Sequence, residues 1–464
     1  MGKLAMLGGP RVLTVDQIPP QQVCWPVVTD AERESVLRVL DSGSFTSVAK
    51  GHGDIALLEK EWAEFVGVPY CAAVSNGTAA IELALAAAGL EPGAEVLVPA
   101  LSFIASAAAP AQRRLSPVFC DIDPVSYNIS HEAAAAAVTA RTQAIMAVHL
   151  HGLPCDMDAL RVLADRHGLL LVEDAAQAHG ARYQDRNVGA LGDIATFSLN
   201  ASKNLPTCGE GGLITTSSEK LLQDVVLRRQ FGEDLSGERT YLSSLLAGNE
   251  KLSAVQAAFT RCQLSRLPGW HAARDKNVRA LLARLADLPG LQLPSCPADR
   301  THAWHILRFR FTPAALGCPE IPAPALRLVL QRALRAEGVP LRPYQPVPLP
   351  AQPALRHQAD HGSSQAARPW RREDHPVASA VTDDSLTLQR WHLNPASGPV
   401  LSRCADAFEK IWENMSTLIL VARSAAGLLP PAPSAPSARS APSAPSVAAS
   451  RGWKLDSGVA RELA

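Results

Sequence analysis

GLLLVEDAAQAHG, residues 168–180, decides the fold. Four apolar residues, Leu169 to Val172, run into two carboxylates, Glu173 and Asp174, and then into a turn of small residues. A short apolar run bounded by glycine and turn residues reads as a strand buried on both faces. The same pattern recurs on either side, at CAAVS (71–75), EVLVPA (95–100), SPVFCDI (116–122), AIMAVHL (144–150) and DIATFSL (193–199). Between these runs lie Ala-rich helical segments, among them 78–89 and 158–167. Strands and helices that alternate in this way form βαβ units. The expectation is an α/β fold with a mainly parallel central sheet and helices on both faces. Ligands of such sheets bind beyond the carboxyl ends of the strands, so the residues just after each strand are the ones to search.

Residues 29–65 carry apolar side chains at helical spacing, broken by a Gly/Ser-rich loop, SGSFTSVAKGHGD (42–54). After residue 250 the pattern changes to a long helical region (251–286). A strand, HAWHILRFRFT (302–312), and two helices, at 324–338 and 402–418, follow. This predicts a smaller α+β lobe, with a polar insert at 357–374 expected to be a mobile loop. PPAPSAPSARSAPSAPSVAAS (430–450) cannot bury a core and is expected to be disordered. The expected organisation is a large domain with its N-terminal segment at 1–265, a small domain at 266–422 and a tail at 423–464.

The 464 residues exceed the ~100–200 of a typical single domain. Basic and acidic side chains balance at 44 each, which argues against nucleic acid or an acidic membrane as the main partner. No apolar stretch reaches the ~20 residues of a membrane span, and MGKLAMLGGP is too weak for a signal peptide. Nine scattered cysteines with no CxxC pair signal no metal knuckle and suit a reducing cytoplasm.

Four segments at strand ends carry candidate chemistry. VSNGTAAIELAL (74–85) turns a strand into a helix. Its free N–H groups, with Gly77 and Thr78, would make a phosphate cradle, although taken alone such residues are more often there for capping. Asp174 ends a buried strand and needs a cationic partner, for which a protonated pyridine nitrogen would serve; a helix cap is the plainer alternative. In TFSLNASKNLPTCGEGG (196–212), Lys203 stands on a loop where it is able to form a Schiff base, and Ser198 lies five residues earlier. A lone lysine is usually a solvated charge, but the pairing with Asp174 on a neighbouring strand end weakens that view. Phe103, after the strand at 95–100, suits either stacking on a flat ring or a core position.

These segments resemble the DegT/StrS family of pyridoxal phosphate (PLP)-dependent sugar aminotransferases, fold type I. The resemblance covers roughly residues 4–265, through LAMLGGP, VSNGTAAIELAL, VHLHGLPCDMDAL, LLLVEDAAQAHGARY, FSLNASKNLPTCGEGGLITT, RRQFGE and GNEKLSAVQAAFTRCQL. It implies a seven-stranded type of central sheet and a smaller α+β C-terminal domain. It implies that Lys203 is the Schiff-base lysine and proton shuttle, and that Asp174 pairs with the pyridinium nitrogen. It further implies that Gln177 bonds near the ring oxygen, that Phe103 stacks on the ring, and that Gly77, Thr78 and Ser198 bind the phosphate. Asn249, with Lys251 beside it, would reach the phosphate of a neighbouring subunit, which requires a homodimer with shared sites. No metal is implied.

The implied reaction moves an amino group from glutamate or glutamine to a keto-sugar or keto-cyclitol, in amino-sugar or antibiotic biosynthesis. One departure stands out: VPLPAQP (347–353) places Pro350 where many relatives carry histidine. His302, His305, Arg342 and Tyr344 are polar residues of the same lobe, and the structural reading is favoured for each. The alternatives are a synthase of the same family or a non-catalytic PLP-binding regulator. Lys203 counts against the sugar-dehydratase branch, which replaces that lysine with histidine. The lack of GxGxxG after the first sheet strand counts against a dehydrogenase.

Overall fold

Successive side chains of a strand point to opposite faces, and here both faces are buried. In the computed structural model, which describes residues 2–14, 16, 18–46, 53–234, 241–356 and 370–428, the first nine strands are β1 (Tyr70–Val74), β2 (Glu95–Pro99), β3 (Ser116–Cys120), β4 (Thr142–Val148), β5 (Leu170–Asp174), β6 (Arg182–Tyr183), β7 (Arg186–Asn187), β8 (Ile194–Ser198) and β9 (Gly212–Thr216). All but the β6–β7 hairpin form one seven-stranded sheet in the order β1-β9-β8-β5-β4-β2-β3. Only β9 runs antiparallel to its neighbours, so β1 keeps the direction of the five parallel strands. Ala73, Leu97, Ile145, Leu171 and Phe197 bury one face; Val74, Val98, Met146, Val172 and Ile194 bury the other.

The alternation predicted six of the seven sheet strands. It missed β9, because GGLITT opens with two glycines, yet the geometry demands one of them. A Cβ on Gly212 would lie 2.5 Å from the Asn76 carbonyl oxygen. The short helices on the sheet are largely apolar: Gly77–Ala87 buries Ile81, Leu83 and Leu85.

The small lobe holds a three-stranded antiparallel sheet of β10 (Leu291–Gln292), β11 (Ile306–Phe311) and β12 (Ser385–Gln389). Helices Ala323–Ala336, Gly398–Glu413 and Met415–Ala425 pack on it through Leu330, Phe408 and Leu418.

Three boundaries differ from expectation. Leu4 and Leu13 are buried in the small-lobe core, so the N-terminal segment packs there and not on the large lobe. The buried Glu337 carboxylate holds it, accepting from Ala5 N at 2.8 Å, Val12 N at 3.2 Å and Lys410 Nζ at 2.9 Å. The helix Ala254–Leu285 runs on through Pro268 and past residue 265, with Leu267 in the large-lobe core and Val278 and Leu281 in the small-lobe core. The last helix continues to Ala425 with Ala422 buried, so the small lobe outlasts the expected tail boundary at 422/423. Most of the polar insert (357–369), part of the loop at 42–54 and the Pro/Ala/Ser segment lie outside the described residues.

Candidate active site

The carboxyl ends of β1, β8, β5, β4 and β2 lie along one edge of the sheet. At the end of β1, Asn76 caps the helix Gly77–Ala87 by accepting from Ala79 N at 2.9 Å. That leaves the N–H groups of Gly77 and Thr78, which a helix cannot satisfy from within. Gly77 sits tight against the end of β8: a Cβ there would come 2.7 Å from Ser198 Cβ and 3.2 Å from Ser198 Oγ. Backbone donors at a positive helix end and a hydroxyl thus converge on one spot, which is the chemistry a phosphate monoester needs. Ser75 Oγ donates to Glu250, a short contact that ties the turn to the strand edge.

At the end of β5 the two carboxylates face opposite ways. Glu173 points into the sheet's covered side. It accepts from Gly189 N (2.9 Å), Leu191 N (2.7 Å) and Gly192 N (2.6 Å), and faces His149 Nε2 at 3.0 Å. His149 Nδ1 accepts from Cys155 N at 3.0 Å, so its Nε2 carries the proton that Glu173 accepts. Burial alone would raise the Glu173 pKa, but the His149 bond and the backbone donors outweigh it and hold it low.

Asp174 is also buried but far less saturated. Oδ2 accepts from Ser106 Oγ at 2.7 Å, and Oδ1 accepts from Ala176 N at 3.2 Å. Ser106 Oγ in turn lies 2.8 Å from Ser102 Oγ. Lone pairs remain on the carboxylate for a further donor.

Lys203 lies on the loop after β8 and is half-buried. The loop is pinned throughout: Lys203 N donates to Asn200 O (2.8 Å), Ala201 N to Gly209 O (2.9 Å) and Thr207 N to Leu199 O (2.7 Å). Trp25 Nε1 donates to Lys203 O at 2.9 Å. Because β5 and β8 are neighbours, with Asp174 opposite Thr196, this loop stands beside the Asp174 end.

Phe103 stands beyond β2 and is 55% exposed although its neighbours Leu101 and Ser102 are buried. That is a poor place for a core aromatic and a fitting one for a ring-stacking surface. Gln177 Oε1 accepts from His151 N at 2.7 Å, and its Nε2 donates to Tyr344 OH at 3.4 Å. Asn249 is exposed and bridged in antiparallel fashion to Gln230, on the strip beside β1. The adjoining residues Phe231, Tyr241, Leu242 and Leu246 expose apolar side chains.

Seven of the eight expected site residues therefore gather at one sheet edge, and Asn249 lies on the strip that flanks the end of β1, next to Glu250, whose carbonyl oxygen accepts from Ser75 N at 2.8 Å. Sequence reading missed Ser102, in the bend after β2, and Ser106, in the first turn of the helix Ala105–Gln112. It also missed His151, whose positive φ of 61° aims its N–H at Gln177. Of the small-lobe polar residues, His302 is a core group: Nδ1 accepts from Trp304 N at 2.9 Å, and burial pushes its pKa down to about 3. His305 is buried, with Nδ1 3.2 Å from Asn204 Oδ1. Arg342 bonds Gln389, at the end of β12. Tyr344 reaches the site through Gln177. Pro350 is buried in a turn whose Leu349 N donates to Ala100 O at 2.7 Å, docking it against the end of β2.

Fold and site together define a fold type I, PLP-dependent aminotransferase. The residues fit that cofactor on the structure's own terms: a phosphate cradle closed by a glycine that tolerates no Cβ, a buried carboxylate with lone pairs to spare, an exposed aromatic and a lysine on a braced loop. The chain belongs to the DegT/DnrJ/EryC1/StrS aminotransferase family, whose model matches residues 26–386. It is 37% identical over 437 residues to the L-glutamine:2-deoxy-scyllo-inosose aminotransferase of Streptomyces lividus, covering 89% of this chain and 99% of that one. It is 35% identical over 351 residues to the dTDP-3-amino-3,4,6-trideoxy-alpha-D-glucose transaminase of Streptomyces venezuelae, covering 74% and 85%. Among solved structures, S. venezuelae DesV in complex with a ketimine intermediate superposes with a TM-score of 0.71 at 32% identity, covering 82% of this chain and 94% of that one. No helix among the described residues is long and apolar enough to cross a membrane.

Proposed function

We propose that the protein transfers an amino group from glutamate or glutamine to the keto group of a sugar or cyclitol, in amino-sugar or antibiotic biosynthesis. The observation that carries this reading is the convergence of the Gly77–Ser198 cradle, Asp174 and the Lys203 loop on one sheet edge. When bound, PLP supplies an electrophilic carbon and an electron sink. The backbone N–H groups of Gly77 and Thr78, with Ser198 Oγ, hold its phosphate. Asp174 accepts a hydrogen bond from the ring nitrogen and keeps the proton there; Ser106 and Ala176 fix the carboxylate's orientation. Phe103 covers one ring face and excludes water. Gln177, set by His151 N, presents an amide donor toward the ring substituent. Lys203 Nζ would hold the cofactor covalently and would carry the proton that the transfer moves. Tyr344 is the small-lobe group placed to meet the acceptor.

A homodimer with shared sites is part of the proposal. Asn249 is exposed beside an apolar strip, where it serves a neighbouring subunit and not its own cradle. The nine cysteines form no disulfide, in keeping with a cytoplasmic enzyme.

A screen of glutamine and glutamate against keto-inositols and nucleotide-linked keto-sugars tests the reading. Turnover with a keto-inositol supports it, and no turnover with any donor–acceptor pair rejects it. Light scattering checks the dimer, and mixing Lys203→Ala with Asn249→Ala chains should restore part of the activity through one complete site.

A further inference from the structure

Arg308, on β11, is 2% exposed, and each group that touches it is neutral. Nη1 donates to Ser385 Oγ at 2.6 Å, and Nη2 bonds Gln345 Oε1 and lies 3.4 Å from His151 Nε2. The His151 ring is neutral: burial, and then the adjacent Arg308 charge, push its pKa well below the usual range. The nearby carboxylate, Asp384, is taken by Arg310 through two bonds of 2.9 and 2.6 Å. Arg308 itself stays charged at neutral pH, since burial lowers its pKa only to about 10. A buried cation whose nearby carboxylate, Asp384, is shared with a second arginine is costly.

Beside it lies a small cavity between the lobes, lined by Tyr127, Leu150 and His151 from the large lobe and Ser295, His302 and Arg308 from the small lobe, with room for about one water-sized body. Three of its lining residues carry a buried polar atom with no hydrogen-bond partner among the described residues: Arg308 Nε, Tyr127 OH and Ser295 Oγ. All three are able to donate. Tyr127 holds a positive φ of 63°, and the Arg308 guanidinium stands 5.7 Å from its ring.

We propose that this cavity binds a small monatomic anion, chloride in solution, clamped by Arg308 Nε, Tyr127 OH and Ser295 Oγ. A water would also fill the space, but it would add no charge to oppose the arginine beyond the Asp384 that Arg310 shares, whereas a halide accepts from all three donors and neutralises it. The anion then bridges the two lobes beside His151, whose N–H sets Gln177. The inference needs neither the cofactor nor turnover.

Two measurements test it. In crystals soaked in sodium bromide, an anomalous peak is expected between Arg308, Tyr127 and Ser295; a water refined there in place of bromide overturns the proposal. In solution, the thermal midpoint should rise and saturate with sodium chloride but not with sodium gluconate at equal ionic strength; identical curves overturn it, even beside a bromide peak. Arg308→Gln should abolish the difference between salts. Tyr127→Phe keeps the ring, and its half-saturating chloride should rise about tenfold for the loss of one hydrogen bond. Should Arg308→Gln fail to fold, Tyr127→Phe decides: an unchanged half-saturation contradicts the clamp.

Discussion

Glu173 and Asp174 are consecutive carboxylates on one strand, and the two sides of that strand use them in opposite ways. On the Glu173 side, three backbone N–H groups and His149 saturate the carboxylate, and nothing is left for a ligand. On the Asp174 side, one serine and one backbone N–H orient the carboxylate and leave lone pairs unused. The first side is a brace that fixes the loop at 189–192 against the strands. The second is a receptor. Burial does not separate them, since Glu173 is 0% and Asp174 5% exposed; the number of donors already engaged does.

The sharpest break between the two sides comes from the lysine beside the receptor. Lys203→Ala should reduce transamination by about 10³-fold or more, since it removes both the covalent anchor and the proton carrier; steady-state assays at saturating cofactor measure this.

The paired substitutions come next. Glu173→Gln should cost about 3 kcal/mol of stability by breaking a buried pair, with turnover per folded molecule little changed. Asp174→Asn should instead lower turnover by about 100-fold while the urea midpoint stays near wild type. If the two phenotypes coincide, the division between brace and receptor is wrong.

Acid should act through the buried side as well. Burial lowers His179 to about 3, His271 to about 4 and His302 to about 3 from an ordinary 6.5. Below pH 6.5 the unfolded chain binds these protons and the folded chain does not, so stability is full above that pH and falls as pH drops toward 4. Each histidine contributes up to about 1.4 kcal/mol per pH unit. Replacing His179, whose ring packs between Trp62 and Phe197, with Phe should flatten the slope of the urea midpoint against pH by one group's share.

The smallest effect is at Ser106. Removing its bond to Asp174 with Ser106→Ala should weaken PLP binding about tenfold, with Ser106→Thr restoring it. An unchanged dissociation constant would mean that Asp174 needs no orienting partner.

Much of this was legible in the sequence. Six strands of the large sheet announced themselves as apolar runs, because strands buried on both faces admit little else. The motifs around Gly77, Asp174 and Lys203 pointed to the cradle, the receptor and the loop. Other features were hidden for physical reasons. Strand β9 begins with glycines that a close backbone approach requires, which propensity counts against a strand. Ser102 and Ser106 look like ordinary small residues at the start of an Ala-rich helix, and only the fold brings Ser106 to Asp174 with Ser102 behind it. The N-terminal segment meets the small lobe through Glu337, a contact more than three hundred residues away in sequence. Nor did composition distinguish Arg308 from the alternating polar residues of a half-exposed strand, since its burial depends on how the two lobes meet.

The central claim is that Lys203 anchors the cofactor at the Asp174 side of the strand. Borohydride reduction of the PLP-loaded protein, followed by peptide mass spectrometry, tests it most directly. The pyridoxyl group should be found on the peptide containing Lys203. Its appearance on another lysine, or on none, would contradict the account.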